Sequence, residues 1–145
     1  VLDKGRINIA AASVGAAERI LADALRYARE RKQFGKPIGE FQLIQAMLAD
    51  SHAEIYAARC MVIDAARKRD EGKNVGTEAA CAKMFASEMC GRVADRAVQI
   101  FGGAGYLAEY GIERFYRDVR LFRIFEGTTQ IQQLVIARNL LRDAA

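Results

Sequence analysis

The stretch "TEAACAKMFASEMCGRVADRAVQIF", residues 77–101, decides the fold that the sequence predicts. Its apolar residues recur at steps of three or four and form one stripe: Ala82, Phe85, Met89, Val93, Ala97 and Ile100. This spacing is typical of a long amphipathic helix with one face in a core. The glycines of "FGGAG", residues 101–105, end the helix.

Two more stripes of the same kind precede this helix. The first runs to about Lys32, with Asp3 as its predicted N-cap, and carries Ile7, Val14, Ala17, Leu21, Ala24, Leu25 and Ala28. The second carries Phe41, Ile44, Leu48, Ile55, Ala58, Val62 and Ala65, and Gly72 and Asn74 signal its end. Between the two lies "FGKPIGEF", residues 34–41, whose glycines and single proline predict a turn.

Two helices follow the glycines of "FGGAG". Residues 109–125 show a short helical pattern, and "TTQIQQLVIARNLL", residues 128–141, begins the last helix with Thr129 and Gln132 in the register of a capping box. The chain has no alternation of apolar and polar residues long enough for a sheet. We therefore predict an all-α fold, an antiparallel up-down four-helix bundle with one additional short helix.

Composition places the chain among globular proteins. Its 145 residues, 52% hydrophobic and 28% charged, fit one domain with one sizeable core. No apolar run approaches the roughly 20 residues of a membrane span, and no secretory leader opens the chain. Because the sequence begins with Val1, we expect a piece of a longer protein, and residues 1–145 are one domain of it.

The few cysteine and histidine residues exclude several kinds of site. Cys60, Cys81 and Cys90 are odd in number and have no CxxC spacing, so a disulfide framework or a thiolate metal site is not expected. The only histidine, His52, has the pattern of a polar helix residue, which leaves no predicted metal site. We expect a reducing compartment, either a bacterial cytoplasm or a mitochondrial matrix.

The stretch "RIFEGTTQIQ", residues 123–132, holds a single carboxylate, Glu126, at the break between two helical segments. Gly127 allows the backbone to approach a ligand closely, and the helix that follows favours ionised Glu126. The neighbouring Ile124 and Phe125 are able to desolvate the carboxylate. On local sequence alone, an exposed linker residue explains Glu126 as well as a site does.

Three further stretches each allow a functional and a structural interpretation. The glycines of "QIFGGAGY", residues 99–106, can bring N–H groups to a phosphate, but a glycine C-cap explains them equally well. The basic residues of "RERKQFGKPIGEFQ", residues 29–42, suit either an anion or the helix dipole. Arginines at positions 114, 117, 120 and 123 alternate with acids, which favours a solvated, salt-bridged face.

The order of these motifs identifies a family. "RKQFG" and "FQ", then "QIFGGAGY", then "RD", "IFEGTTQIQ" and "ARNLL" together resemble the C-terminal helical domain of the acyl-CoA dehydrogenases, over essentially all 145 residues. That resemblance implies flavoenzymes that make 2,3-enoyl-CoA from acyl-CoA with flavin adenine dinucleotide (FAD). It also implies an N-terminal helical domain and a middle β-domain that this sequence does not contain.

The resemblance assigns the FAD-binding residues in two groups. Arg31 matches the arginine of the family's R-K-x-F-G motif, which binds the FAD of the partner subunit, and Gln42 matches a second contact there. Gln99, Ile100, Phe101, Gly102 and Gly103 would line the adenine and pyrophosphate of the same partner FAD. Thr128, Thr129 and Gln130 would contact the chain's own flavin.

The resemblance also assigns the acid and the substrate contacts. Glu126 matches the catalytic base, which takes the α-proton while the β-hydrogen leaves as hydride to the flavin. In the family, the N–H of the base and a ribityl hydroxyl of the flavin polarise the thioester carbonyl. Gly127 would lie against the thioester, and Asp3, Lys4, Gly5 and Arg6 would border the acyl-CoA cleft.

Two departures within the family bear on this assignment. Members similar to isovaleryl-CoA dehydrogenase carry the base on the first helix, at the position where this chain has Gly5. The base therefore stays at Glu126, as in members similar to the short-chain and medium-chain enzymes. Phe41 replaces a histidine of some relatives, which changes the shape around Gln42.

The resemblance implies a homodimer or homotetramer, an acyl-CoA substrate and an electron-transfer flavoprotein as electron acceptor. An acyl-CoA oxidase is the alternative among enzymes. A bundle that only oligomerises is the alternative of another class, because the isolated domain would lack half of the flavin site and is expected to be colourless and inactive. Acidic residues interrupt every basic cluster, so we expect no nucleic-acid partner.

Overall fold

The computed structural model describes residues 2–144 and contains, within that range, five α-helices. Their bounds are α1 Leu2–Glu30, α2 Gln42–Asp70, α3 Gly76–Phe101, α4 Ile112–Val119 and α5 Thr129–Asp143. Short 3-10 turns lie at Ile38–Glu40, Gly102–Tyr106, Ala108–Tyr110 and Arg120–Arg123. The predicted all-α fold is confirmed.

The helices alternate in direction. Ile7 near the start of α1 packs with Ala65 near the end of α2 and Ala79 near the start of α3. At the other end, Tyr27 of α1 stacks on Phe101 of α3 with ring centroids 4.0 Å apart. α1 and α3 are therefore parallel, and α2 is antiparallel to both. α5 returns along α3, since its start contacts Glu88 and its later Asn139 bonds Thr77.

Small residues allow α3 to pass through the middle of the bundle. Its alanines at 79, 80, 82, 86, 94 and 97 are at most 2% exposed, and α1 contributes Ala10, Ala17, Ala24 and Ala28, at most 1% exposed. Alanine stripes let helix axes approach closely without cavities. The predicted stripe of α1 is correct except at Leu25, which lies at its edge and is exposed.

The start and end of α1 differ from the prediction. The helix is already formed at Leu2, so Asp3 lies inside it and is not the N-cap; its carboxylate accepts a hydrogen bond from Arg6 at 2.9 Å. The helix ends at Glu30, because the next residues pair as a hairpin, β1 Lys32–Gln33 antiparallel to β2 Lys36–Pro37. Phe34 and Gly35, both with positive φ, form its turn.

None of the helices between residues 2 and 144 is long and apolar enough to cross a membrane. Within the same range, no cluster of His, Cys, Asp and Glu has the geometry to hold a metal ion. All three cysteines are free, and burial raises the pKa of the Cys90 thiol to about 12, which keeps it protonated at neutral pH.

Candidate active site

Glu126 lies in a strained turn between the 3-10 segment that ends at Arg123 and helix α5. Its φ is +55°, and that of Gly127 is +89°, so two successive residues adopt left-handed backbone conformations. Glycine does so freely, whereas a residue with a side chain loses on the order of 1–3 kcal/mol. Other contacts must therefore hold Glu126 in this conformation.

Helix α5 begins immediately after the turn, and its N-cap lies one residue earlier than the sequence predicts. Thr128, not Thr129, is the N-cap, and its hydroxyl accepts a hydrogen bond from the N–H of Ile131 at 3.3 Å. The first-turn N–H groups of Thr129 and Gln130 have no acceptor inside the helix. The positive end of the α5 dipole consequently lies beside the Glu126 turn.

The Glu126 carboxylate lies directly against the backbone of α1 at Gly5. A Cβ atom on Gly5 would be 2.3 Å from Glu126 Oε2, a separation that requires the carboxylate to move. Any residue larger than glycine at position 5 would therefore displace it. Ile124 and Phe125 do not cover the carboxylate: both are exposed, and so is Glu126.

Two buried side chains bind the carbonyl groups of the turn. Lys83 of α3 donates from Nζ to the Gly127 carbonyl at 2.7 Å. Gln132 of α5 donates from Nε2 to the same carbonyl at 3.0 Å and to the Glu126 carbonyl at 3.2 Å. A Cβ on Gly127 would lie 2.6 Å from Gln132 Nε2, so this contact also requires glycine at position 127.

Charged groups surround Lys83 beneath the turn. Burial lowers the pKa of Lys83, whereas the carboxylates of Glu88 and Glu126 raise it and Arg6 adds to the lowering. Glu88 in turn accepts a hydrogen bond from the Thr129 hydroxyl at 2.7 Å. Lys83 thus lies between the proposed base and a second carboxylate, which offsets part of its desolvation.

The Arg123 side chain packs on α3 at Gly91. Its Nε lies 3.4 Å from Glu88 Oε2, an ion-pair distance without hydrogen-bond geometry. The guanidinium occupies the position that a side chain on Gly91 would take. This end of the arginine series is therefore folded onto the bundle, while Arg114 is paired at the surface with Asp118 at 3.8 Å.

The residues predicted to border the acyl-CoA cleft do not all lie at one place in the structure. Gly5 contacts Glu126, and Arg6 is buried with Asp3 as its ion-pair partner. Lys4 is exposed and lines a separate surface cavity formed with the α2–α3 turn. Only Gly5 and Gly127 of this predicted set lie at the Glu126 turn itself. The roles assigned to all of these residues stay predictions.

The residues predicted to bind the FAD of the partner subunit lie at the opposite end of α1, whereas Thr128, Thr129 and Gln130 lie at the start of α5 beside the Glu126 turn. A surface cavity of about 380 Å³ contains Arg31, Ile100, Phe101, Gly102 and Gly103, together with Tyr27, Gln33, Ile38, Ala104 and Tyr110. Next to it, a shallower cavity contains Gln42, Phe34 and Phe41 and shares Ile100. Gln99 is exposed but lines neither cavity.

This end of the bundle fits a dinucleotide in its chemistry. The Arg31 side chain is exposed, and it takes part in none of the ion pairs or side-chain hydrogen bonds between residues 2 and 144. Added Cβ atoms at Gly102 and Gly103 would meet nothing within 4 Å, so the backbone there is open. A free guanidinium, open glycine backbone and the exposed ring of Phe34 suit a pyrophosphate with an attached ring system.

The two regions are too far apart to hold the same end of one ligand. From Gly5 to Glu30 the helical rise of about 1.5 Å per residue places the ends of α1 about 38 Å apart. Arg31 follows directly after Glu30, and the Glu126 carboxylate lies on Gly5. The predicted binding residues therefore lie in two separate regions of the chain.

Sequence patterns did not single out Lys83, Gln132 or Tyr27 as functional residues. Lys83 interrupts the buried alanine face of α3, and a cation within an apolar stripe is the signal that would have identified it. Gln132 was predicted as the capping-box partner of Thr129, which is not the N-cap, and its side chain donates to the carbonyls of the Glu126 turn instead. Tyr27 lies in an aromatic contact with Phe101 that no local pattern predicts.

Comparisons with known proteins identify the family of the chain. The chain is 55% identical to probable acyl-CoA dehydrogenase YngJ of Bacillus subtilis over 97% of its own length and 37% of that protein. It is 50% identical, with the same coverage, to the caffeyl-CoA reductase-Etf complex subunit CarC of Acetobacterium woodii.

A solved structure gives the same result at the level of the fold. Butyryl-CoA dehydrogenase from Megasphaera elsdenii superposes with a TM-score of 0.95 at 48% identity, covering 97% of this chain and 37% of that one. The chain thus spans little more than a third of these relatives. Residues 1–141 match the model of the acyl-CoA dehydrogenase C-terminal domain, and the chain belongs to that family.

Proposed function

We propose that this chain is the C-terminal domain of an FAD-dependent acyl-CoA dehydrogenase in which Glu126 is the catalytic base. The complete enzyme would convert an acyl-CoA thioester to 2,3-enoyl-CoA. The remaining domains would be an N-terminal helical domain and a middle β-domain. The observation that carries the proposal is the contact between the Glu126 carboxylate and Gly5.

That contact bears on both possible positions of the base. In the branch of the family whose base is on the first helix, the position equivalent to Gly5 carries the carboxylate. Here the position has no side chain, and the Glu126 carboxylate fills the same space from the turn before α5. One acid is therefore available where the family's chemistry requires one.

The chain's own residues perform the proton transfer. The carboxylate of Glu126 takes the α-proton, and the N–H of Glu126 donates to the thioester carbonyl oxygen as negative charge develops there. The electrons of the α-carbon–hydrogen bond form the new double bond. Bound FAD supplies the hydride acceptor for the hydrogen that leaves the β-carbon.

The flavin contacts divide between two subunits. Thr128, Thr129 and Gln130 would contact the chain's own flavin at the start of α5. Because the Thr129 hydroxyl already donates to the partly buried Glu88, Thr129 would make this contact through its backbone N–H. Arg31, Gln42 and the stretch 99–103, at the far end of α1, would bind the FAD of a neighbouring subunit, which requires a homodimer or homotetramer.

The electron acceptor is proposed to be an electron-transfer flavoprotein. The name of the CarC relative places it in a complex with such a protein, and that relative is 50% identical to this chain. The bacterial cytoplasm or the mitochondrial matrix stays the proposed compartment.

Replacement of the base in the complete enzyme tests the proposal. Glu126→Gln should retain bound flavin but slow flavin reduction by acyl-CoA about 10²- to 10⁴-fold, the usual contribution of a general base. Anaerobic stopped-flow absorbance measures this rate. Glu109→Gln, an exposed acid in the turn before α4, is the matched control and should react as the parent enzyme does. Rapid reduction in Glu126→Gln would overturn the assignment.

Hydrogen peroxide release separates the dehydrogenase from an acyl-CoA oxidase. The complete enzyme in air should turn over slowly without an added acceptor and release little peroxide. Peroxide formed in step with substrate consumption would favour the oxidase.

A further inference from the structure

We propose that Lys83 and Gln132 are positioning residues that hold the Glu126–Gly127 turn in its left-handed conformation and thereby aim the base. The inference rests on the proposed role of Glu126. Neither side chain is placed to touch the substrate; both act through the backbone of the turn.

Three hydrogen bonds converge on the turn. The Gly127 carbonyl accepts from Lys83 Nζ at 2.7 Å and from Gln132 Nε2 at 3.0 Å, which uses both of its lone pairs. The Glu126 carbonyl accepts from the same Gln132 nitrogen at 3.2 Å. The two carbonyls that follow the base thus point toward one pair of donors.

These hydrogen bonds also orient the two peptide planes that carry the carbonyls. In a trans peptide the C=O and N–H groups point in opposite directions. Because both carbonyls face Lys83 and Gln132, the N–H groups of Gly127 and Thr128 face away from these side chains. Fixing both peptide planes in this way sets the backbone conformation of Gly127, which lies between them. Because the Cα of Glu126 belongs to the first of these planes, holding that plane also restricts the movement of the Glu126 side chain.

Both side chains are buried. Lys83 and Gln132 are each 0% exposed, so Lys83 Nζ and Gln132 Nε2 have lost water and depend on these contacts. The face of α3 around Lys83 is otherwise built from alanine, serine, methionine and cysteine. An apolar residue would fill this position at lower desolvation cost, so packing alone does not explain a lysine there.

The two side chains come from different helices, which connects the turn to the rigid part of the bundle. Lys83 belongs to α3, the central helix, and Gln132 to the first turns of α5. A displacement of about 1 Å at a reacting group can lower a rate by about 10²-fold. The loss of either donor should therefore affect the chemical step more than the binding of substrate.

Variants of the complete enzyme test the inference. Lys83→Met and Gln132→Met each remove donors from the turn. We expect each to slow anaerobic flavin reduction about tenfold or more, with the dissociation constant for acyl-CoA changed less than about threefold. Since both act on one turn, the double variant should be slowed by less than the product of the two single effects.

A matched control removes a buried hydrogen bond elsewhere. Ser51 is 2% exposed and donates to the Met47 carbonyl at 2.7 Å within α2, so Ser51→Ala should leave the reduction rate unchanged. Hydrogen–deuterium exchange provides a readout apart from activity. Amides of residues 125–130 should exchange faster in Lys83→Met and Gln132→Met than in Ser51→Ala, with α2 unaffected in Lys83→Met and Gln132→Met.

The outcomes distinguish this inference from the proposed function. If Glu126→Gln is slow while Lys83→Met and Gln132→Met reduce flavin at the parent rate, the positioning role is wrong and the base assignment stands. If Glu126→Gln is fast, the proposed function itself fails. If Lys83→Met does not fold, Gln132→Met decides alone, and a rate equal to that of Ser51→Ala would refute the inference.

Discussion

The two regions of predicted binding residues at opposite ends of α1 are built differently. At the Glu126 turn, the backbone is held by buried donors from α3 and α5, and the carboxylate touches α1. At the Arg31 end, the guanidinium has no partner among residues 2–144, Phe34 is 93% exposed, and the glycines after α3 are open.

The difference indicates which part of each site this chain completes by itself. A base must be placed accurately in every catalytic cycle, and the chain supplies the contacts that place Glu126. A cofactor-binding surface can be completed by the ligand and a neighbouring subunit. We therefore expect substitutions at the turn to alter the chemical step and substitutions at the Arg31 end to alter cofactor affinity.

Among substitutions that leave Glu126 itself in place, Gly5→Ala should give the largest effect and separate catalysis from stability. The added methyl group would lie 2.3 Å from Glu126 Oε2 and displace the carboxylate, so flavin reduction in the complete enzyme should fall about 10²-fold. Alanine also stabilises a helix by about 1 kcal/mol relative to glycine, so the melting temperature should not fall.

Gly15→Ala is the matched control, because it lies in the same helix and its Cβ would meet nothing within 4 Å. It should share any gain in stability and keep the parent rate. Equal rates in Gly5→Ala and Gly15→Ala would show that the carboxylate does not need the space at Gly5.

Gly127→Ala tests the backbone of the turn. The new Cβ would adopt φ +89° and lie 2.6 Å from Gln132 Nε2, which should destabilise the protein by about 1–3 kcal/mol and slow flavin reduction. Gly72→Ala, with φ +77° and open space, isolates the conformational cost. Urea unfolding should find Gly127→Ala the less stable of the two; equal stability would contradict the close contact with Gln132.

Arg31→Met tests the other region and should have the smallest effect on chemistry. Loss of charged hydrogen bonds worth about 1.5–3 kcal/mol should weaken FAD binding about 10- to 100-fold. Reconstitution of the apoenzyme measures this affinity. Exposed Arg29→Met is the control. Unchanged FAD affinity in Arg31→Met, or a slower chemical step in the fully loaded enzyme, would break the proposed division between the two ends.

Periodicity was sufficient for the long helices because each buries one continuous stripe. The apolar residues of α3 recur along 26 residues, and Lys83 is the one charged residue among its buried positions. Helix ends were less predictable: Asp3 and Thr129 have the chemistry of caps, yet α1 is already helical at Leu2 and Thr128 caps α5. Such boundaries depend on contacts with other segments, which local sequence does not contain.

The sequence predicted some residues of the candidate site but not how they are arranged. Glu126 and Gly127 were identified from their position before the last helix and from the resemblance to a family. The contact of Glu126 with Gly5 joins residues far apart in sequence, and the bonds from Lys83 and Gln132 arise only when α3 and α5 pack together. Tertiary packing, rather than local preference, creates these contacts.

Exchange of the substrate's α-hydrogen with solvent is the most direct test of the central claim that Glu126 is the base. An acyl-CoA analogue with sulfur in place of the β-carbon cannot lose hydride, so proton transfer is observed alone. In deuterium oxide, the complete enzyme should incorporate deuterium at the α-carbon, and Glu126→Gln should do so at least about 10²-fold more slowly. Incorporation by Glu126→Gln at the parent rate would contradict the account.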